Sequence, residues 1–418
     1  MELPFQVSKS PQSNEALGEA LRSAGPHAIF VEDRAQASVG ASPGTPLTCR
    51  TFRVVGAAIG GDPERSLSDP YLEDVGGPRR PRMRLSRVLD EPSLQLSEGR
   101  ELVRGLVDMG WGARFVEFNQ KIWVGEEGAV LTDGRRSRRI EMTAPGDPRV
   151  LVDRVLRAND AVTPEVLGEA AGRQAERRSR ARPLGATDHG GPCVFAPGVA
   201  GLIAHELIGH ALEADVALRG SRLALQSARF APVELRVIDD PTLGRAAWRM
   251  DDEGTAPIPV TLLEDGRVSG RLLDRATAKR VRGVSTGHGR RGGYLDPVLP
   301  RMGCTYIEAG DVPAASIVRD TQRGIFVRRM AGAHADPWRG RATFVVTDAD
   351  RIEGGELTRS LESFVIELDV IEALGSIDLV GDDLVFDTCI GSCVRLGQPL
   401  ATSVGAPTVR LRVIRVVS

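Results

Sequence analysis

Lysine is almost missing from this chain: of 54 Lys and Arg residues, only Lys9, Lys121 and Lys279 are lysine. With Ala, Gly and Val abundant, that imbalance points to high-GC coding bias rather than to a phosphate-binding design. Net charge is nearly absent too, at a formal −2 with 26% charged residues, which excludes an overall basic balance for nucleic acid. No apolar run approaches the roughly 18 residues of a membrane span. Met1 to Phe5 shows no basic region followed by an apolar one, so no signal peptide is expected. The five cysteines are unevenly spaced and form no disulfide framework, so a reducing cytoplasm is the expected compartment.

Histidine is also scarce, with six in the chain, and two of them bracket a glutamate within one apolar stretch, residues 197–215. Pro197 suits a helix start, where a missing N–H leaves nothing unpaired. Val199, Leu202, Ile203, Leu207, Ile208 and Leu212 recur at helical spacing and predict a buried helix. Into that apolar run the sequence inserts His205, Glu206 and His210, which are costly to bury without partners. A divalent metal supplies one; two core histidines satisfied by backbone carbonyls are the alternative. Neutral imidazoles favour zinc or a similar borderline ion. The spacing is i, i+5, and at about 100° per residue two such rings diverge by about 140° on a regular α-helix. A local π-turn brings them to one face, and Gly209 offers the backbone freedom for it. Glu206, adjacent to His205, fits a general base for the attacking water better than a ligand.

The length of 418 residues suggests two or three domains. Residues 1–185 read as an α/β domain. Helices are expected at Asn14–Ser23, Glu98–Met109, Val150–Ala158 and Pro164–Arg180, and strands at Ala28–Glu32 and Phe52–Gly56. An antiparallel meander covers Ala113–Thr143, with a turn at Asp133–Gly134. The cluster Arg173, Arg177, Arg178, Arg180 and Arg182 has no interleaved aromatics and reads as a solvated linker helix, not a nucleic-acid patch. Residues 186–418 form a second domain of short alternating strands, which suggests a β-barrel or sandwich carrying one catalytic helix. The fold class is therefore α+β.

Three further segments carry chemistry without a clear role. Ser285–Tyr294 is Gly-rich but lacks a P-loop lysine. Ala331–Trp338 contains His334. Both read as flexible rims for a peptide, and the roles of His288 and His334 stay open. Cys389 and Cys393 share one Gly-containing loop and either bind metal or pack as buried thiols.

The stretch Phe195–Asp215 resembles the TldD/PmbA (TldE) family of metallopeptidases. So do Asp251–Gly254, Ser285–Gly287, Pro300–Met302, Gly391–Cys393, Gly397–Gln398 and Pro407–Arg412. The likeness spans most of residues 190–418. It implies a zinc peptidase in which His205, His210 and Cys393 hold the metal and Glu206 activates water. The resemblance favours Cys393 over Cys389, because Cys393 occupies the Gly-x-Cys position. Glu213, three residues after His210, either orients the free ring nitrogen of His210 or is a surface carboxylate. The resemblance implies small or unfolded peptides as substrates, including biosynthetic precursors, with a homodimer or a heterodimer with a motif-less TldE/PmbA-like homologue. An Arg- and Pro-rich segment at 60–90 departs from the family. A metal-dependent amide hydrolase acting on a small molecule and a non-catalytic scaffold subunit are the competing functions.

Overall fold

In this computed structural model the described residues are 29–59, 82–83, 96–126, 129–147, 149–156, 162–185, 190–386 and 392–417. The expected helix at Asn14–Ser23, most of the 60–90 segment and Cys389 lie outside them.

The N-terminal region is an antiparallel sheet with helices on one face. Its strands are β1 (Ile29–Ala41), β2 (Thr48–Ile59), β3 (Arg82–Met83), β4 (Gly112–Glu126), β5 (Ala129–Thr143) and β6 (Val150–Leu156), in the order β3-β2-β1-β4-β5-β6. Period-two alternation gives the sheet two unlike faces. Ala113 and Phe115 of β4 and Ile140 and Met142 of β5 bury against helices α1 (Leu96–Asp108) and α2 (Pro164–Arg180). On the other face, Phe30, Ile122 and Val124 pack on Met250 and Tyr294 of the C-terminal region. Thr163 caps α2, accepting a hydrogen bond from Val166 N–H, and Pro164 starts the helix.

Two expectations fail here. Val150–Ala158 is not a helix, since Val150–Leu156 forms an edge strand on β5. Its apolar residues suit either period, and the open edge of β5 selects the extended form that its valines favour. Nor does a turn form at Asp133–Gly134: β5 runs straight through it, pairing these residues with Ile122 and Lys121. The Asp133 carboxylate is buried and accepts from Arg135 Nε at 3.2 Å, so it serves a tertiary contact and not a turn. The arginines of α2 are tied down by acids: Arg177 to Asp348 and Asp350, Arg178 to Asp147 and Arg180 to Glu176.

The C-terminal region is built from two main sheets, neither closed among the described residues, so the expected barrel is corrected to an open arrangement. One sheet of eight strands runs from Ile377–Val380 through Val409–Leu411, β7 (Cys193–Phe195), Arg323–Asp336, Arg341–Glu353 and Phe364–Asp369 to Arg415–Val417, with Glu356–Leu361 on a side branch. The other, of six, runs from Arg267–Val268 through Val260–Glu264, Val237–Asp239, Cys304–Ile307 and Ser403–Ala406 to Val385–Phe386. Short alternating strands specify sheets but not closure. The apolar helix after β7 lies between the two sheets, against Cys304–Ile307, Ser403–Ala406 and Arg323–Asp336. Leu207, Ile208 and Leu212 share its core with Val237, Val327 and Phe344. Mixed α+β, mostly strand, is the class observed. No described helix is long and apolar enough to cross a membrane.

Candidate metal centre

The helix begins as α-helix at Ala200–Ile203, widens to a π-helix over Ala204–Gly209 and returns to α at His210–Leu212; we label the whole α3. His210 N–H donates to His205 C=O, the i→i+5 bond that the histidine spacing requires. The two rings consequently stand edge to face, 5.0 Å apart at an 82° angle. Gly209 has ordinary helical angles (φ −57, ψ −57). It is needed for a different reason than backbone freedom: a Cβ there would collide with the Met302 sulfur. Gly201 plays the same part at the first turn, where a Cβ would meet the Gly405 backbone 2.6–2.9 Å away.

Cys393 reaches this face from a hairpin of Ser392–Arg395 and Gln398–Ala401. One nitrogen from each of His205 and His210 and the Cys393 sulfur lie within 4.8 Å of one another. Cys393 Sγ stands 3.3 Å from His210 Nε2. Glu206 stays outside this trio, its Oε2 3.9 Å from His210 Nε2. The sequence-predicted residues thus come together, with the carboxylate beside the donors and not among them.

Electrostatics prepare the donors. Burial pushes the Cys393 thiol up, but His210 and His205 outweigh burial and hold it well below the usual thiol range. Burial pulls His210 down, and Cys393 and Glu213 more than reverse this. Glu213 is fully buried (0% exposed) and accepts from His210 Nδ1 at 3.0 Å. Burial raises its carboxyl, while Arg395 foremost, then His210 and Arg301, holds it down at about 2. A carboxylate that stays ionised can only accept, so it fixes a proton on Nδ1 and leaves Nε2 facing Cys393. His205, 2% exposed, keeps its Nδ1 buried without a hydrogen-bond partner. Two imidazoles, one of them with a ring nitrogen left without a partner, and a thiolate are a donor set that fits a zinc-like ion.

Three supporting residues carried no role in the sequence analysis. Arg395 Nη1 donates to Glu213 Oε2 at 3.0 Å, and its Nη2 pairs with Asp215. Arg301 is fully buried and donates from Nη2 to the Cys393 carbonyl (2.7 Å) and from Nη1 to the Gln398 carbonyl (3.2 Å), pinning the hairpin. Arg395 was findable: two residues after Cys393 on a strand, it shares the same face. Arg301 and Asp215 lie in the Pro300–Met302 and Phe195–Asp215 motifs, but nothing local reveals their partners.

The two supposed rims are not flexible loops. His288 is fully buried, 3.1 Å from Asp239 through Nε2 and 2.8 Å from Thr286 Oγ1 through Nδ1, a core histidine. His334 lies in the bulged strand Arg323–Asp336, paired with Thr343. Gly289 and Arg290 pair with Pro300 and Leu299, and much of Ser285–Tyr294 is buried.

Several known proteins resemble this chain. Residues 189–418, more than half of the chain, match the profile of the PmbA/TldA metallopeptidase C-terminal domain. A protein of Methanothermobacter thermautotrophicus named "Metalloprotease" is 31% identical over 253 residues, covering 59% of this chain and 54% of that protein. The "Metalloprotease TldD homolog" of Buchnera aphidicola subsp. Acyrthosiphon pisum is 30% identical over 224 residues, 53% and 46% of the two chains. A "Zinc metalloprotease TldD homolog" of Saccharolobus solfataricus is 26% identical over 307 residues, 72% and 69%. The chain thus spans about half the length of the first two of these relatives. The crystal structure of TldE from Thermococcus kodakarensis shares the fold, with a TM-score of 0.68 at 18% identity over 97% of this chain and all of that one.

Proposed function

Because this chain belongs to the TldD/PmbA metallopeptidase family, we propose that it is a zinc-dependent peptidase acting on small or unfolded peptides. The observation that carries this reading is the convergence of the His205, His210 and Cys393 donors within 4.8 Å, with Glu206 alongside. These three residues would hold the ion, which when bound polarises a scissile carbonyl and acidifies water. Glu206 would take the proton of the attacking water and pass it to the leaving amine. Glu213 keeps the His210 ring in one tautomer, and Arg301 holds the Cys393 hairpin in place.

We assign these roles to a C-terminal domain of residues 186–418, with 1–185 as a second domain. The likeness to a TldE structure supports pairing with a second copy or with a TldE-like chain. The test is a panel of unstructured peptides incubated with the metal-analysed protein, with and without chelator, alone and with any co-encoded homologue. The expected result is chelator-sensitive cleavage by a protein holding one zinc per chain. Cleavage that persists without metal, or zinc bound with no cleavage in any combination, rejects the reading.

A further inference from the structure

A second site lies on the face of the N-terminal sheet opposite α1 and α2. Beyond the apolar contact at Ile122 and Val124, the same face of β4 and β5 turns polar, and there a cavity of about 440 Å³ opens toward the C-terminal region. Alternation along paired strands places Arg34, Arg114, Arg135 and Arg139 on this face. Arg136 joins them at the edge, and Arg245 and Arg290 enter from the C-terminal side. The wall holds one carboxylate, Glu141. The opposite wall is the Cys393 hairpin, through Ser392, Pro399, Leu400 and Ala401, with Leu400 directly across from Cys393.

Carboxylates outside the cavity lining hold several of these arginines. Asp252 takes Arg135 at 2.7 Å and Arg290 at 3.4 Å, Glu117 takes Arg136 at 2.7 Å and Asp153 takes Arg139 at 2.7 Å. With Asp133, Glu32 and Glu141 added, seven lining arginines stand against six acids, of which Glu141 alone lines the cavity. Arg114 is half exposed, 3.5 Å from Glu141, which pairs more closely with Arg139. Burial foremost, and then the crowding by Arg135, pulls Arg290 down to about 10 against the opposing pull of Asp252. Guanidinium forks bind carboxylates in paired hydrogen bonds, and a partly enclosed site strengthens the attraction. Phe52, Val116 and Phe118 add apolar wall suited to methylene stems. The volume takes a few side chains and no folded partner or nucleic-acid strand.

We infer that this arginine-lined cavity binds the carboxylate side chains of an acidic peptide and so sets the specificity of the neighbouring metal centre. The inference rests on the peptidase reading for its consequence, but binding tests it separately. Zinc-loaded Glu206→Gln is titrated with labelled peptides of one length and spacing, carrying Glu, Gln or Lys at the same positions, while the unaltered enzyme is assayed for cleaving them. The Glu peptide is expected to bind at least tenfold tighter than its Gln counterpart, with an affinity that falls as salt rises. Arg114→Glu should erase that preference and favour the Lys peptide, whereas Arg114→Lys should retain most of it; a loss of folding alone produces no such reversal. Equal binding of Glu and Gln peptides, or a preference untouched by Arg114→Glu, overturns the inference, even if all three peptides are cleaved. Acidic-peptide binding without cleavage supports it and counts against the peptidase reading.

Discussion

Glu213 accepts a hydrogen bond from His210 Nδ1 at 3.0 Å while Arg395 donates to the same carboxylate oxygen at 3.0 Å. One buried anion thereby links the π-turn of α3 to the hairpin that carries Cys393. Glu213→Gln should weaken zinc affinity about 10–100-fold, the usual cost of losing a ligand's orienting partner. It should also lower stability, because Arg301 loses its carboxylate partner and Arg395 keeps only Asp215 in a buried site. Chelator competition and urea unfolding measure the two effects. Unchanged zinc affinity would separate Glu213 from the metal site.

Glu206 lies next to the donors without converging on them. Glu206→Gln should therefore keep stoichiometric zinc and lose about 10²–10⁴-fold in kcat. Elemental analysis beside peptide hydrolysis checks both halves. Zinc lost together with activity would make Glu206 a ligand.

Cys393→Ala should lose zinc and activity together, while Cys389→Ala keeps both. The basis is the short Cys393–His210 contact and the pinning of the Cys393 carbonyl by Arg301. Loss of zinc in both variants would point to a closed four-ligand site, which leaves no position for water.

Much of the centre was legible because its parts are local. An i, i+5 histidine pair on one helix forces a π-turn if both rings serve one ion, and Glu213 follows one turn later. Arg395 was legible as a neighbour of Cys393 on one strand face, but its partner was not, and Arg301 was not at all, since the two meet Glu213 across 182 and 88 residues of sequence. Asp133–Gly134 and Val150–Leu156 show the same limit in the fold. Turn chemistry and apolar spacing were read correctly as local signals, but a buried arginine partner and an open sheet edge decided the outcome. Likewise the arginines of β4 and β5 look like scattered surface charge until strand pairing gathers them on one face.

Stability should fall as pH rises above about 5, because of Glu253. Burial, reinforced by Asp274 and Asp251, pushes its carboxyl from 4.5 up to about 8. Between those values the folded chain holds a proton that the unfolded chain has released, so the slope of stability with pH is negative. The stabilisation is full below about 4.5 and is lost as pH rises through 8, by at most about 1.4 kcal/mol per pH unit for one proton. Urea unfolding of the zinc-loaded protein from pH 5 to 8 reads this slope, and Glu253→Gln should flatten its part above about pH 6, below which Asp251, itself raised to about 6, also contributes. An unaltered slope in that variant would assign the proton elsewhere.

The π-turn depends on a close approach between Gly209 and Met302. Both are buried, and an added methyl at 209 would overlap the Met302 thioether. Gly209→Ala should cost about 1–3 kcal/mol by overpacking, and zinc affinity should fall with it, since His205 and His210 flank the displaced turn. Met302→Ala alone leaves a cavity and costs about 2–5 kcal/mol. Combined, the new methyl enters the space the thioether vacated, so the double variant should be more stable than the sum of the two losses by about 1 kcal/mol or more. Urea unfolding of all four proteins completes the cycle. Strict additivity would mean that the glycine is required for some reason other than its contact with Met302.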